Sequence, residues 1–503
     1  MKQIFGLKSA ATSAVKIAVL AGCLGLVAGC DQRSDKAASE RLTDILENGS
    51  DPDRLTKAEE RLAKILEADN SVGALNDRFG NFEESGDGRY PIEALVAAAM
   101  ERNTDIRRAA ENLNLRDVER LNAIFGYLPQ VSLSAQQDDI SQNVISSDNA
   151  VFQLGEAQYP VTVFSVTLKQ PIFDLGRIFN IQYANNARTQ AEVEYVQAVR
   201  EVAYQVFDAA LVAEQASSRA RLLRQRQGIV GQQIESSDAL IDAGLDIGIE
   251  ASSLRADRSR TRSDASLETA RLAQTLGNLS RMTGVAVQGV QPFRPERGVF
   301  GTERRLSAEE AVSVAMDANP QIMVAALDVV GSDLARRAAI GRDFSPVIEA
   351  YATLEQETRE ASRFGGGSET EDQTIGVAIT IPLFNARGNG YETLTANVKR
   401  RTSALDYYGL KRQVEAEIRA LHARMGQLSS AIGQASQAAS AESRALADER
   451  NKLDSGESVE QAVALRELRV NSARDRRTFQ QYEYLRAWAR LKYLMGADLA
   501  KSQ

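Results

Sequence analysis

The feature that most constrains this chain is a long stretch without proline, from Arg177 to about Ala243. At about 1.5 Å per residue, a helix of this extent is on the order of 100 Å long, which exceeds the depth of a compact domain. Spacing of three and four residues between small apolar side chains is typical of a helix that packs lengthwise against other helices. That spacing occurs here at Val196, Val199, Ala203, Val206, Ala210 and Ala213.

Composition agrees with long helices rather than with a loop-rich globule. The chain of 503 residues contains ten prolines and one tryptophan, and it is rich in alanine, the strongest helix former. Its formal net charge is −8. The length predicts more than one domain. The mild acidity predicts no nucleic-acid partner, because surfaces that bind nucleic acids are strongly basic.

The first 29 residues are predicted to be a lipoprotein signal peptide. A lysine-containing start precedes an apolar run from Ile17 to Gly29, which is too short to span a bilayer comfortably. The string LVAGC resembles the lipobox of bacterial lipoproteins and makes Cys30 the predicted lipidation site. One alternative is a similar string that ends at Cys23, which Lys16 disfavours by interrupting the apolar run before it. The other is an ordinary signal peptide with incidental cysteines.

The polar segment at 30–90 is predicted to be a tether or a wrapped extension between the lipid and the body. It contains two similar amphipathic strings, ERLTDILENG at 40–49 and ERLAKILEAD at 60–69. A disordered linker is the alternative. Asp31 resembles a signal that retains lipoproteins in the inner membrane of enteric bacteria, so the sequence leaves the sorting of this lipoprotein open.

The segment at 91–285 is predicted to contain a helix, a β-hairpin, the long helix and a return helix. The first helix covers about Ile92 to Tyr127 and stops before a proline. Two strands of about ten residues follow, because apolar and polar residues alternate around 131–136 and 162–169. This length is sufficient for a strand that crosses a membrane.

The long helix is bounded by recognisable start and stop signals. Pro171 and Phe173 mark the transition from the second strand to this helix, and the chain is predicted to turn at Gly244. The return helix covers about Ile249 to Met282 and ends at Gly284, which is a residue typical of a helix C-terminus.

The segment at 305–497 is predicted to repeat the first, after a linker at 286–304 and before a tail at 498–503. The string EALVAAAMERN at 93–103 matches EEAVSVAMDAN at 309–319. The strands recur at 347–358 and 374–382, Pro171 and Phe173 recur as Pro382 and Phe384, and Gly244 and Gly284 recur as Gly456 and Gly496. Because prolines, turn glycines and strands recur in the same order, the sequence indicates an internal duplication.

Each half therefore combines one long helix with two short helices that together match its length. The strands are expected to place Ile375, Val377, Ile379 and Ile381 against lipid and Ala378 on the other face. Four strands cannot close a barrel, and open strand edges are not tolerated in lipid. Two or three chains would supply eight or twelve strands, so the pattern predicts an oligomeric tube.

The ordered duplication, the Pro-x-Phe motifs, the turn glycines and the lipobox resemble those of TolC-like outer-membrane factors. The resemblance is to the lipoprotein branch of tripartite efflux systems, and it covers about residues 90–497. It implies a mostly α chain that forms a homotrimer, with a twelve-stranded β-barrel continuous with a long periplasmic α-helical barrel. It also implies a location in the outer membrane of a Gram-negative bacterium, with a periplasmic adaptor and an inner-membrane pump of RND type as partners.

The turns opposite the hairpins are the candidate pore constriction. Asp246 and Glu250 follow the first turn, and Glu457 and Glu460 follow the second. In a trimer each acid becomes a ring of three like charges, which favours cations. The alternative interpretation is a set of solvated carboxylates near helix starts, where negative charge is favourable.

The sequence predicts neither an enzyme nor a cofactor. Both cysteines precede the body, and His422 is the single histidine, so the usual metal site of three or four ligands cannot form. The glycines at 365–367 lack the lysine and helix of a phosphate loop and fit the second hairpin loop.

The function expected from the resemblance is a passive exit duct for small molecules and drugs. An outer-membrane channel for type I protein secretion is the close alternative. A lipid-anchored periplasmic coiled-coil scaffold is the alternative from another class, although a scaffold does not need four strands compatible with lipid.

Overall fold

The computed structural model describes residues 86–145, 155–244, 248–293, 300, 306–361, 366–383 and 390–497. The predicted signal peptide, Cys30 and most of the predicted tether lie outside the described residues. The helices are α1 Ile92–Arg102, α2 Thr104–Phe125, α3 Leu175–Asp242, α4 Gly248–Thr283, α5 Ala308–Ala318, α6 Pro320–Phe344, α7 Tyr391–Asp454 and α8 Glu460–Leu494. The strands are β1 Arg89–Tyr90, β2 Gln130–Val144, β3 Gly155–Asp174, β4 Gly289–Val290, β5 Val347–Arg359 and β6 Ser368–Thr380.

The long helix predicted from Arg177 is α3, which has 68 residues. It is about 100 Å long at 1.5 Å per residue. The apolar seam predicted from the three-and-four spacing is buried throughout, from Val196 at 5 % exposure to Ala213 at 1 %. The second long helix, α7, has 64 residues.

The prediction of one helix from Ile92 to Tyr127 was wrong, because the chain breaks at Asn103 to give α1 and α2. Asn103 has extended backbone geometry, with ψ at 131°. Its side-chain oxygen accepts hydrogen bonds from the backbone N–H groups of Asp105 and Ile106. These are donors that the first turn of a helix leaves unsatisfied, so the asparagine starts a new helix. Asn319 separates α5 from α6 in the same way.

The described chain divides into two compact units. Unit 1 contains the residues at 114–190 and 326–405 that the structure describes. Unit 2 contains those at 86–113, 191–325 and 406–497. Helices α2, α3, α6 and α7 contribute to both units, because each crosses a unit boundary within its own length.

Unit 1 contains a four-stranded antiparallel sheet in the order β2-β3-β5-β6. Three of its strands are longer than predicted from the sequence, since β2 has 15 residues, β3 has 20 and β6 has 13. Pro171 does not end β3 as predicted. The strand continues to Asp174 through a register shift between Pro171 and Phe173, which is the kind of irregularity at which a strand tolerates proline.

Unit 2 contains the main apolar cores. One core surrounds Leu95, Val206 and Leu279, all fully buried, and a second surrounds Ile418 and Leu494. The short parallel pair β1–β4 joins the start of the body to the segment that follows α4. Both cores lie among helices, so burial of their apolar faces is the main stabilising contribution in this unit.

None of the helices among the described residues is both long enough and apolar enough to cross a bilayer.

Candidate functional site: a two-faced sheet and two helical hairpins

The sheet of unit 1 has one apolar face and one polar face. Side chains directly opposite each other in an antiparallel pair lie on the same face. The register therefore places four apolar series together, one from each strand. They are Val131, Leu133 and Ala135; Leu168, Val166 and Phe164; Ala352, Leu354, Ala350 and Ile348; and Ile375, Val377 and Ile379. The series predicted to face lipid on β6 thus continues across all four strands.

The opposite face of the sheet carries hydroxyl groups, on residues that alternate with these apolar residues along the strands. Ser134 Oγ lies 2.8 Å from Ser165 Oγ, and Thr167 Oγ1 lies 3.5 Å from Thr353 Oγ1. Thr374 is the residue opposite Thr353 on β6. A strand that alternates in this way suits a surface with lipid on one side and water on the other.

Unit 1 also has two open edges. Among the residues that the structure describes, strands β2 and β6 each pair on one side only. The helices next to them in the chain, α2 and α7, expose apolar residues at helical spacing. On α2 these are Leu115, Val118, Leu121 and Phe125, and on α7 they are Tyr391, Leu394, Val398 and Leu405.

The helices of unit 1 pack in the same order as the strands. Arg188 of α3 bonds to Asp117 of α2 at 2.5 Å. Asn186 of α3 donates to the carbonyl oxygen of Leu327 on α6 at 3.0 Å. Thr393 of α7 donates to Asp343 of α6 at 2.9 Å. The order α2-α3-α6-α7 therefore leaves α2 and α7 on the outside, as β2 and β6 are.

The strand-to-helix transition at the start of α3 is fixed by a residue that the sequence argument missed. Asp174 is buried, and its carboxylate accepts from the backbone N–H of Arg177 at 3.0 Å. This places an acidic cap at the positive end of α3. Arg177 in turn donates to the carbonyl oxygen of Gly126 at 2.5 Å. Pro171 and Phe173 lie just before this cap, as predicted.

The second predicted transition is only partly described. Pro382 follows the end of β6 at Thr380, and Phe384 lies outside the described residues.

Two glycines allow α3 and α6 to approach each other closely. Gly341 of α6 approaches the backbone of Gly176 of α3 so closely that an added Cβ would lie 2.5 Å from the Gly176 nitrogen. Side chains at either position would separate α3 from α6.

Both predicted turn glycines lie at the ends of helical hairpins in unit 2. Gly244 follows α3 with φ at +90°, and Gly456 follows α7 with φ at +80°. These left-handed conformations favour glycine. Glu457 and Glu460 are exposed beside the second turn. Asp246 lies outside the described residues, and Glu250 lies in α4, where its side chain is not described.

Ion pairs join the two helices of each hairpin. In the first hairpin, Arg226 contacts both carboxylate oxygens of Asp257 at 2.9 and 3.0 Å. Arg255 contacts Asp238 at 2.5 Å in the same hairpin. In the second, Arg450 contacts Glu467 at 2.5 Å. Ion pairs near the surface contribute only about 0–1 kcal/mol each, so these pairs align the helices more than they stabilise them.

The contact between α3 and α8 in unit 2 is polar along much of its length. Arg486 binds Asp208 through two hydrogen bonds of 2.7 and 3.2 Å. Asn471 donates to the carbonyl oxygen of Leu222 at 3.3 Å. Asp475 of α8 lies near Arg219, and burial raises the pKa of its carboxyl although the guanidinium opposes this shift. We call this contact the α3–α8 seam.

Glu214 is the most buried carboxyl of the seam, at 8 % exposure. Burial raises the pKa of its carboxyl, while a hydrogen bond from the Phe293 backbone N–H, at 3.0 Å, and one from Tyr482 lower it. Arg221 lowers it further. The same burial raises the pKa of the Tyr482 hydroxyl. Glu214 thus fixes the segment after β4 to α3 through a carboxylate that is costly to ionise.

No group of metal-binding side chains occurs among the residues that the structure describes. His422 is half-buried, and its Nε2 lies 3.1 Å from the carbonyl oxygen of Leu306.

Comparison with known proteins finds one matching family model and a shared fold. Residues 95–285 match the family model of outer membrane efflux proteins. Comparison with curated proteins gives no match. The chain is similar in structure to several solved outer-membrane channels. Their sequence identity to this chain is low, at 13–17%, so the likeness establishes the fold alone.

Three of these solved structures illustrate the likeness. The CmeC outer membrane channel of Campylobacter jejuni is 14% identical, with a TM-score of 0.69 over 85% of this chain and 88% of that one. The VceC outer membrane protein of Vibrio cholerae is 14% identical, with a TM-score of 0.65 over 81% and 96%. The open MtrE outer membrane channel of Neisseria gonorrhoeae is 17% identical, with a TM-score of 0.62 over 82% and 90%.

The chain thus has the fold of an outer-membrane channel. With the efflux-protein domain at 95–285, the predicted resemblance to TolC-like outer-membrane factors is confirmed. The matched family and structures are channels, in agreement with the prediction that the protein is not an enzyme.

Proposed function

We propose that this protein is the outer-membrane exit duct of a tripartite efflux pump. It conducts small molecules passively, and the energy comes from an inner-membrane transporter, of RND type, that acts through a periplasmic adaptor. The observation that supports this most directly is the two-faced sheet with two open edges, within a chain that carries an outer membrane efflux protein domain.

The proposed assembly is a homotrimer with a twelve-stranded β-barrel and a helical barrel. The open edge of β2 would pair with β6 of the next copy, which removes unpaired backbone groups from lipid. The exposed apolar residues of α2 would pack against those of α7 in the same contact. An interface between two different surfaces closes into a ring when the rotation between copies allows it.

The proposed internal duplication is supported by two equivalent helix junctions. Asn103 donates to the carbonyl oxygen of Met282, and Asn319 donates to that of Leu494, both at 2.8 Å. The two acceptors are in the last turns of α4 and α8. In each half, an asparagine therefore joins the start of one short helix to the end of the other.

The remaining proposals rest on the sequence. Cys30 is proposed to carry a lipid that anchors the mature N-terminus to the outer membrane, with residues 31–90 as a tether or extension. The acids after the two turns, Asp246, Glu250, Glu457 and Glu460, are proposed to form a negatively charged periplasmic constriction. The exposure of Glu457 and Glu460 is compatible with that role.

A duct for type I protein secretion has the same proposed architecture and is the alternative function. A coiled-coil scaffold without a pore is disfavoured, because the apolar face of the sheet spans all four strands.

Drug susceptibility of a deletion strain tests the proposed function. Loss of the gene should lower the minimal inhibitory concentrations of several unrelated small toxic compounds, and the intact gene should restore them. The secreted-protein profile should stay unchanged. Unchanged susceptibility together with the loss of one secreted protein would overturn the efflux proposal in favour of secretion.

A further inference from the structure

Three guanidinium groups converge on one buried carboxylate in unit 1. Asp333 of α6 has an exposure of only 2 %. The Nε of Arg336 lies 3.0 Å from its Oδ1, and the Nε of Arg337 lies 2.8 Å from its Oδ2. Arg400 reaches the same carboxylate from α7, with its Nε 3.2 Å from Oδ1. We call these three side chains the arginine cluster.

The arginine cluster carries an excess of positive charge. Three cations share one anion, and among the described residues Asp333 is the acid with which these arginines form ion pairs. Like charges held this close repel each other, so a second anion near the guanidinium groups would be stabilised. Elsewhere in unit 1, Arg342 pairs one to one with Glu392 at 2.9 Å.

The cluster also has hydrogen-bond donors to spare. A guanidinium has five N–H donors, and Arg336 and Arg337 use their Nε groups on Asp333. The Nε of Arg400 is buried and lacks hydrogen-bond geometry, so its 3.2 Å approach to Asp333 is a charge contact only. Terminal amino groups of all three side chains are therefore available for another acceptor.

The cluster is accessible but not fully solvated. The side chains of Arg336, Arg337 and Arg400 are 25%, 28% and 40% exposed. The guanidinium of Arg337 also lies 5.9 Å from the ring centroid of Phe179, which limits its freedom. Partly desolvated, preorganised guanidinium groups are the usual recognition elements for phosphate, because they offer paired donors to its oxygens.

We propose that the arginine cluster is a binding site for a phosphate anion, in which Arg336, Arg337 and Arg400 contact the phosphate oxygens and Asp333 holds the three side chains in place. The anion is either free phosphate or the phosphate of an anionic phospholipid headgroup. The site does not depend on the proposed transport function, since it is defined by charge and geometry within unit 1.

The experiment measures phosphate binding to the detergent-purified full chain in two arms. In the first arm, inorganic phosphate is titrated and the thermal unfolding midpoint is followed at constant ionic strength. In the second, the delipidated protein is incubated with phosphatidylglycerol, and bound lipid is counted by native mass spectrometry. Arg400→Gln is the test variant, because Arg336 and Arg337 still neutralise Asp333 in it. Arg342→Gln, which breaks a one-to-one pair in the same unit, is the matched control.

We expect saturable binding in at least one arm, with an affinity about tenfold lower in Arg400→Gln, as the loss of a charged hydrogen-bond donor predicts. The Arg342→Gln control should bind as the unaltered protein does. A response to inorganic phosphate identifies free phosphate as the ligand, and a response confined to phosphatidylglycerol identifies the headgroup. Absence of saturable binding in both arms, or equal binding by the two variants, would overturn the site.

Discussion

The side-chain amide of Asn103 donates a 2.8 Å hydrogen bond to the carbonyl oxygen of Met282, 179 residues further along the chain. The same asparagine caps the start of α2 through its side-chain oxygen. One buried side chain therefore joins the first turn of α2 to the last turn of α4. Asn319 does the same between α6 and α8, through Leu494.

Replacement of either asparagine by alanine should destabilise the protein. Asn103→Ala leaves the Met282 carbonyl without this donor and removes the cap of α2, with an expected cost of roughly 2–4 kcal/mol. Asn319→Ala should cost a similar amount. Chemical denaturation monitored by circular dichroism measures the effect. Asn278→Ala, at an exposed position in α4, is the control and should change stability by less than about 0.5 kcal/mol.

Neutralisation of Glu214 should stabilise the protein near neutral pH. Burial raises the pKa of this carboxyl, so its contribution to stability is present below its unfolded pKa and is lost as the pH rises through the folded value. Glu214→Gln keeps an oxygen that can accept from the Phe293 N–H and removes the buried charge. Its unfolding midpoint should exceed that of the unaltered protein at pH 7, and the difference should shrink towards pH 4.

The matched control for Glu214 is Glu309→Gln, at an exposed position of α5. It should leave the pH dependence of unfolding unchanged. A lower midpoint for Glu214→Gln at pH 7, with the control unaffected, would mean that ionised Glu214 stabilises the α3–α8 seam.

The register of the sheet predicts unequal effects of arginine at neighbouring positions of β6. Val377→Arg places a charge on the apolar face and should cost roughly 2–4 kcal/mol if that face meets the bilayer centre. Ala378→Arg places it on the polar face opposite Glu349, where it should be tolerated. Urea unfolding of the protein in lipid vesicles measures both costs. An equal loss of unfolding free energy in the two variants would contradict the assignment of the faces.

The exposed apolar residues of α2 and α7 predict which surfaces meet between copies. Val118 and Leu405 are 62% and 71% exposed. Val118→Asp or Leu405→Asp should convert the trimer to monomer, because each places a charge in an apolar contact. Light scattering coupled to size-exclusion chromatography reports the mass. Val314→Asp, at an exposed position of α5, should remain trimeric, and a trimer formed by all three variants would refute this interface.

The long helices and the two faces of the sheet could be predicted from the sequence, because the residue spacing that indicates them is local. The spacing from Val196 to Ala213 and the alternation around Val377 each lie within one element. The break at Asn103 was not predicted, because asparagine occurs within helices as well as at their starts, and its additional bond to the Met282 carbonyl is not local in the sequence. The arginine cluster was missed for a similar reason, since Arg400 reaches Asp333 from another helix.

The turns were predicted in part. Gly244 and Gly456 have the left-handed backbone expected of turn glycines. These turns can be predicted from the local sequence, since a chain that reverses direction after a helix needs a residue that tolerates positive φ. The acids around them carry no comparable signal, because an exposed carboxylate near a helix start looks the same with or without a pore. The proposed constriction therefore depends on an electrical measurement.

That measurement is the reversal potential of the purified protein in a planar lipid bilayer under a potassium chloride gradient. We predict stepwise conductance that favours cations, with a clear loss of cation preference when Asp246, Glu250, Glu457 and Glu460 are replaced together by Asn or Gln. Trimer mass should be unchanged in that variant. A purified trimer that inserts without conducting would contradict the central claim that this protein is an outer-membrane duct.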